Sequence, residues 1–261
     1  MSGQQRTTGK SERRTTRRAG CEIVYETTGE GTPLLLSHPL YTNRGLWTLF
    51  HFVEQLAHRY RIIVYDSIGH GESQKSYDVA RYAQTERAAD AVAVLDALGI
   101  ERAHGVGYSM GAWTMGGVAA LHPERLLSVT LGGWDPYNGA NAPKTETKPS
   151  TIDRDFDASV EWFKSSPYTA GFFEGADLDA LRICHAVLFD GQVKTQAIAS
   201  CSVPKFIFCG DEDAFFEGAE RLADEVGAEK FVRFEGADHR TAIGIAPARE
   251  ALMEFLASVS G

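Results

Sequence analysis

Short apolar runs that end in turn residues alternate along this chain with longer stretches of helical periodicity, and few architectures accept that rhythm. The runs are PLLLS (33–37), RIIVYD (61–66), AHGVG (103–107), LLSVTLG (126–132), VPKFIFCG (203–210) and KFVRFEG (230–236). Between them lie LWTLFHFVEQLAHRY (46–60), RYAQTERAADAVAVLDALGI (81–100), MGAWTMGGVAALH (110–122), EGAERLADEVG (217–227) and PAREALMEFLASV (247–259). Strands covered on both faces read as unbroken apolar runs. Helices that cover them show one apolar stripe, here Ala89, Val92, Leu95 and Leu98. The pattern predicts an α/β fold with a mainly parallel sheet flanked by helices. CEIVYETTGEGTP (21–33) adds an antiparallel lead-in strand and a Gly-rich turn.

The rhythm breaks between residues 135 and 200. That stretch opens as a polar loop, DPYNGANAPKTETKPS, and then turns aromatic with Trp162, Phe163, Tyr168, Phe172, Phe173 and Phe189. The division expected is a core of residues 19–134 and 201–261, a small helical cap of residues 135–200, and a tail of residues 1–18. Six Lys or Arg and one acid make the tail strongly basic, while the whole chain carries a net charge of -9. The tail lacks the apolar stretch of a secretory signal and is expected to be disordered. The acidic remainder argues against nucleic acid as a partner, and no apolar run reaches the roughly 18 residues of a membrane span. Cys21, Cys184, Cys201 and Cys209 are scattered without a C-x-x-C pair, so no zinc or redox site is indicated and a reduced, cytoplasmic setting is expected. No metal or cofactor is called for, and a homo-oligomer is compatible with the sequence without being required by it.

Gly107, Tyr108, Ser109, Met110 and Gly111 fit G-x-S-x-G between a predicted strand and a predicted helix, the context of a nucleophile elbow. A serine hydroxyl is a weak nucleophile near neutral pH, so it needs a base, and the base needs an acid to fix its tautomer. Of eight histidines, His239 in FEGADHRTA follows the last strand, at the sheet edge where site residues gather. In FCGDEDAFF, Asp213 is the expected acid, with Asp211 the alternative and better suited to capping the turn. An oxyanion needs two N–H donors. Met110 follows the nucleophile, and in the loop HPLYTNRGLW Leu40 is the candidate, because Pro39 has no N–H. His38, Tyr108, Trp134, Trp162 and Phe163 are the expected substrate contacts.

With GYSMG, YDSIGHGES, GDED and GADH in this order, residues 20 to 260 resemble the α/β-hydrolase superfamily. The stretch from YDSIGHGES to LHPERLLSVTL is similar to its lactonase, esterase and cofactor-free perhydrolase members, and SHPLYTNRGLW to enol-lactone hydrolases. The resemblance implies an eight-stranded, mainly parallel sheet with a cap. It also implies a cofactor-independent serine hydrolase that cleaves a small, mostly apolar carboxylic ester or lactone. Two departures stand out: His38-Pro39 replaces a common His-Gly pair, and Gly111-Ala112 a frequent Gly-Gly. Serine at the elbow excludes the carboxylate-nucleophile chemistry of dehalogenases and epoxide hydrolases. Hydrolysis of a C–C bond, perhydrolase activity and a slow-turnover small-molecule receptor are the alternatives on the same residues.

Overall fold

A computed structural model of the chain describes residues 11–137, 155–188 and 193–260. Eight strands form one sheet: β1 (Glu12–Arg18), β2 (Cys21–Thr28), β3 (Thr32–Ser37), β4 (Tyr60–Tyr65), β5 (Ala103–Tyr108), β6 (Leu126–Gly132), β7 (Lys205–Gly210) and β8 (Lys230–Phe234). Their spatial order is β1-β2-β4-β3-β5-β6-β7-β8. β1 and β2 run antiparallel, as do β2 and β4, while all pairings from β4 to β8 are parallel.

Alternate residues of the central strands feed two different cores, as the two-residue period of a strand requires. Leu34, Leu36, Ile62, Val64, Phe206 and Phe208 face one side, with α1 (Leu46–Leu49), α2 (Phe52–Leu56) and α9 (Ala246–Val259). Leu35, Ile63, Ile207 and Cys209 face the other, with α3 (Gln84–Ala97), α4 (Met110–Leu121) and α8 (Phe216–Glu225). Between β6 and β7 lie α5 (Phe156–Lys164), α6 (Leu178–Val187) and α7 (Thr195–Ala199), in the stretch expected to form a cap; they extend this second core through Phe156, Val160, Phe163, Leu181 and Ile198.

Three expectations change. Residues 12–18, assigned to a disordered tail, form edge strand β1, paired along its length with β2. Acids of the same chain hold two of their arginines: Arg13 Nε lies 2.6 Å from Glu72, Arg18 Nε lies 2.6 Å from Asp90, and Arg18 also reaches Glu86. Residues 1–10, the polar loop beyond residue 137 and Phe189 lie outside the described residues. The stretch 46–60, read as one helix, is two short helices broken at His51, whose φ is 61°. Phe50 and Phe52 are both buried, and a continuous helix would place residues two apart on nearly opposite faces. In α3 the buried stripe is Ala88, Ala91, Val94 and Leu95, with Ala89 and Val92 only half-buried.

Candidate active site

The turn from β5 into α4 is forced by three residues. Ser109 has φ 55° and ψ -118°, a left-handed conformation that costs a side chain about 1–3 kcal/mol. The two glycines make room for it. A Cβ at Gly107 would come 2.1 Å from the carbonyl oxygen of Gly111, and one at Gly111 would come 1.9 Å from that of Ser37. The second contact also seats the elbow directly on the end of β3, where the loop carrying Leu40 begins.

His239 reaches this serine from the loop after β8. Its Nε2 lies 2.9 Å from Ser109 Oγ and its Nδ1 lies 2.7 Å from Asp213 Oδ2. All three residues are buried. Neighbours fix the imidazole on every side. The Tyr108 hydroxyl donates to the His239 carbonyl at 2.8 Å, and the rings of Tyr108 and Phe215 flank it at 5.3 and 5.2 Å between centroids. Asp238, one residue earlier, accepts from the Arg240 and Thr241 amides at 3.0 and 2.9 Å and from the Thr241 hydroxyl at 2.7 Å. Burial works against the charge on Asp238, yet these donors hold its carboxyl below the usual range. Asp213 Oδ1 accepts the Phe215 amide at 3.1 Å, which leaves Oδ2 for the histidine. Asp211 is engaged by β8 and the loop after it: Oδ1 accepts from the Gly236 amide at 2.8 Å and Oδ2 pairs with Arg233 at 2.6 Å.

The loop after β3 owes its shape to His38. The Ser67 amide donates to its Nε2 at 3.0 Å, so the ring proton sits on Nδ1 and is given to the Pro39 carbonyl at 2.8 Å. The Thr42 hydroxyl donates to the same carbonyl at 2.9 Å. In a trans peptide the C=O and the following N–H point in opposite directions. With the Pro39 oxygen pinned from one side, the Leu40 N–H is turned away from it. Neither that N–H nor the one of Met110 meets an acceptor among the described residues, as holds in general for the first turn of a helix.

Two expected substrate contacts are therefore placed elsewhere. His38 is wholly buried with both ring nitrogens engaged by the chain, and Tyr108 spends its hydroxyl on the His239 backbone. Trp134 follows β6 and packs on Gly116 of α4, where a Cβ would come 3.1 Å from the indole. Phe163 packs edge-on against Tyr41, 5.0 Å between centroids. Trp162 carries the Arg240 guanidinium 3.9 Å over its ring, while Arg240 Nη1 donates to the Trp162 carbonyl at 2.9 Å and to Ser165 Oγ at 3.0 Å. The residue next to His239 thus clasps the end of α5. Tyr41, with φ 64° and its hydroxyl 2.6 Å from His185 Nδ1, ties the Leu40 loop to α6. Sequence reading missed both links; adjacency to His239 and Leu40 was the one signal available. Among the described residues no group of His, Cys, Asp and Glu could hold a metal ion, and no helix is long and apolar enough to cross a membrane.

Burial pushes His38 and His104 down to about 4 and His70 well below its ordinary value. Such residues take up protons on unfolding, so their contribution is complete above the ordinary value of about 6.5 and is lost as pH falls toward 4. Between pH 7.5 and 5, His38 and His104 are each expected to remove about 2 kcal/mol of stability. Urea unfolding at the two pH values checks this; a midpoint that does not move would contradict it.

The family model described as the alpha/beta hydrolase fold matches residues 32–179. A 2-hydroxymuconate semialdehyde hydrolase of Pseudomonas sp. (strain CF600) is 35% identical over 49% of this chain and 44% of its own length. The 3-oxoadipate enol-lactonase 1 of Acinetobacter baylyi is 29% identical over 76% of this chain and 78% of its own. For other curated relatives the chain spans about half of their length or less, 43%, 54% and 33% in three cases. A thermophilic esterase of Thermogutta terrifontis superposes with a TM-score of 0.76 at 22% identity, covering 96% of this chain and 99% of that one, a likeness of fold.

Proposed function

This chain belongs to the alpha/beta hydrolase fold family, and from that premise we propose that it is a cofactor-independent serine hydrolase of a carboxylic ester or lactone. The observation that carries the reading is the line of contacts from Ser109 Oγ through His239 to Asp213, 2.9 and 2.7 Å, at a strained elbow. Ser109 attacks the acyl carbon while its proton passes to His239 Nε2. Asp213 holds the proton on Nδ1 and faces the imidazolium that forms; two such charges about 4 Å apart attract by about 4 kcal/mol at an effective dielectric near 20. The Leu40 and Met110 N–H groups receive the oxyanion, the second aided by the positive end of α4. His239 then protonates the leaving oxygen, and water, activated by the same histidine, releases the acid and restores the serine.

Aromatic packing where the core meets α5, with Phe163 against Tyr41 and Arg240 over Trp162, suits a small acyl or ring substrate held under a lid. A fluorophosphonate probe is expected to label Ser109 one to one, as found by mass spectrometry of the modified peptide. Folded chain that takes no label there would sink the proposal. The relative that acts on a semialdehyde keeps C–C hydrolysis as a second reading; aryl esters and lactones outrunning diketones in a common panel decides between them.

A further inference from the structure

A buried cation with no carboxylate bonded to it among the described residues lies where the core meets the cap. Arg87, in the first turn of α3, is 2% exposed. Its Nη2 donates to Cys184 Sγ at 3.2 Å and its guanidinium lies 5.3 Å from the Tyr82 ring centroid. Nε and Nη1 are buried with no hydrogen-bond partner among the described residues. The acids on its own helix are committed: Asp90 bonds Arg18 and Arg81, Glu86 bonds the same two arginines, and Asp96 pairs with Arg125. Cys184 supplies no charge, since burial pushes its thiol up to about 11. Most of the guanidinium N–H groups are therefore unspent in a place where protein interiors do not leave them so.

The surroundings of Arg87 belong to the site already described. Cys184 is on cap helix α6, and its neighbour His185 lies 2.6 Å from the hydroxyl of Tyr41, the residue after Leu40. On the other side is Gly69, where a Cβ would come 2.9 Å from Cys184 Sγ and 2.7 Å from the Tyr82 ring. Gly69 shares its turn with Ser67, which donates to His38, the residue that orients the Leu40 peptide. The cation thus sits between α3 and α6, the helix that His185 ties to Tyr41 in the loop carrying the first oxyanion donor. A guanidinium matches a carboxylate in shape and charge, with two parallel N–H···O bonds.

We propose that Arg87 anchors a carboxylate of the substrate, so that the ester or lactone this chain cleaves is itself an anion with its acid group several bonds from the scissile carbonyl. The proposal rests on the serine-hydrolase reading of Ser109. A substrate carboxylate neutralises the buried cation, whereas a neutral isostere leaves it orphaned in the transition state. Sites built to pair a polar group discriminate strongly against substrates that lack the partner.

The test compares the phenyl half-ester of glutaric acid with its isosteric carboxamide on the full chain and on Arg87→Met, an unbranched replacement that fits the same space. The wild-type chain is expected to prefer the half-ester by about 100-fold or more in kcat/KM, and the variant to bring that ratio within about 3-fold. Glutarate alone is expected to raise the melting temperature of the wild-type chain and not that of the variant. Without ligand, the variant should melt no lower than the wild-type chain, a result that a purely structural arginine would not give. A preference that survives in Arg87→Met, or glutarate stabilisation equal in both, overturns the proposal. Should the variant not fold, a wild-type chain that prefers the carboxamide or ignores glutarate overturns it equally. If neither ester is cleaved and Ser109 takes no probe, it is the hydrolase reading that fails, while the glutarate melting shift still decides for or against Arg87.

Discussion

Ser109→Ala is expected to lower kcat on an aryl ester by about 10^5- to 10^6-fold, about 7–8 kcal/mol of transition-state stabilisation, with KM moved little. The reason is specific to the oxygen. Alanine keeps the Cβ and therefore the strained φ of 55°, so the elbow, the His239–Asp213 pair and the Leu40 and Met110 N–H groups stay in place. What disappears is the atom 2.9 Å from His239 Nε2. Residual hydrolysis above about 1% of wild type, in protein whose melting temperature is unchanged, would mean that water attacks directly or that another group is the acyl acceptor. Measuring kcat and the melting curve on the same preparation separates those outcomes from simple misfolding.

Asp213→Asn should cost about 10^4-fold in kcat while leaving the fold intact. Asp213 Oδ2 accepts from His239 Nδ1, which keeps the lone pair on Nε2 aimed at Ser109. An asparagine amide facing Nδ1 donates instead. The imidazole proton then moves to Nε2, the nitrogen that has to receive the serine proton, and the base is lost. Asp211→Asn serves as the comparison, because Asp211 braces Gly236 and Arg233 at the surface; its kcat should stay within about 3-fold of wild type. The opposite ranking of the two variants would return the orienting role to Asp211.

How far the site was legible in advance depends on the range of the interactions that build it. The elbow was readable because G-x-S-x-G is a local steric requirement, borne by Gly107 and Gly111 against the backbone of residues 111 and 37. His239 and Asp213 were readable from position alone, since a parallel sheet delivers the loops after β7 and β8 to the same edge as the elbow. His38 was visible beside Pro39, the departure from a common His-Gly pair, but its task was not. That task depends on a bond to Ser67, on a different strand's loop. The same holds for β1: an arginine-rich stretch reads as a tail until β2 offers it a ladder and Glu72, Glu86 and Asp90 offer it acids.

Arg87 shows the limit most sharply. It falls on a helix whose apolar stripe had been placed one residue too late, at Ala89 and Val92 in place of Ala88 and Ala91. That shift of about 100° about the helix axis hid the fact that Arg87 faces inward beside Ala88. By itself the sequence determined the α/β alternation, the elbow and the chain order Ser109, Asp213, His239, because local sterics and strand direction depend on neighbours along the chain. Tertiary structure alone decided which carbonyl His38 holds, which helices Arg240 and Tyr41 clasp, and that Arg87 is buried with no acid bonded to it among the described residues. Those facts are set by residues tens of positions apart meeting across the sheet edge and the cap, where no periodicity reaches.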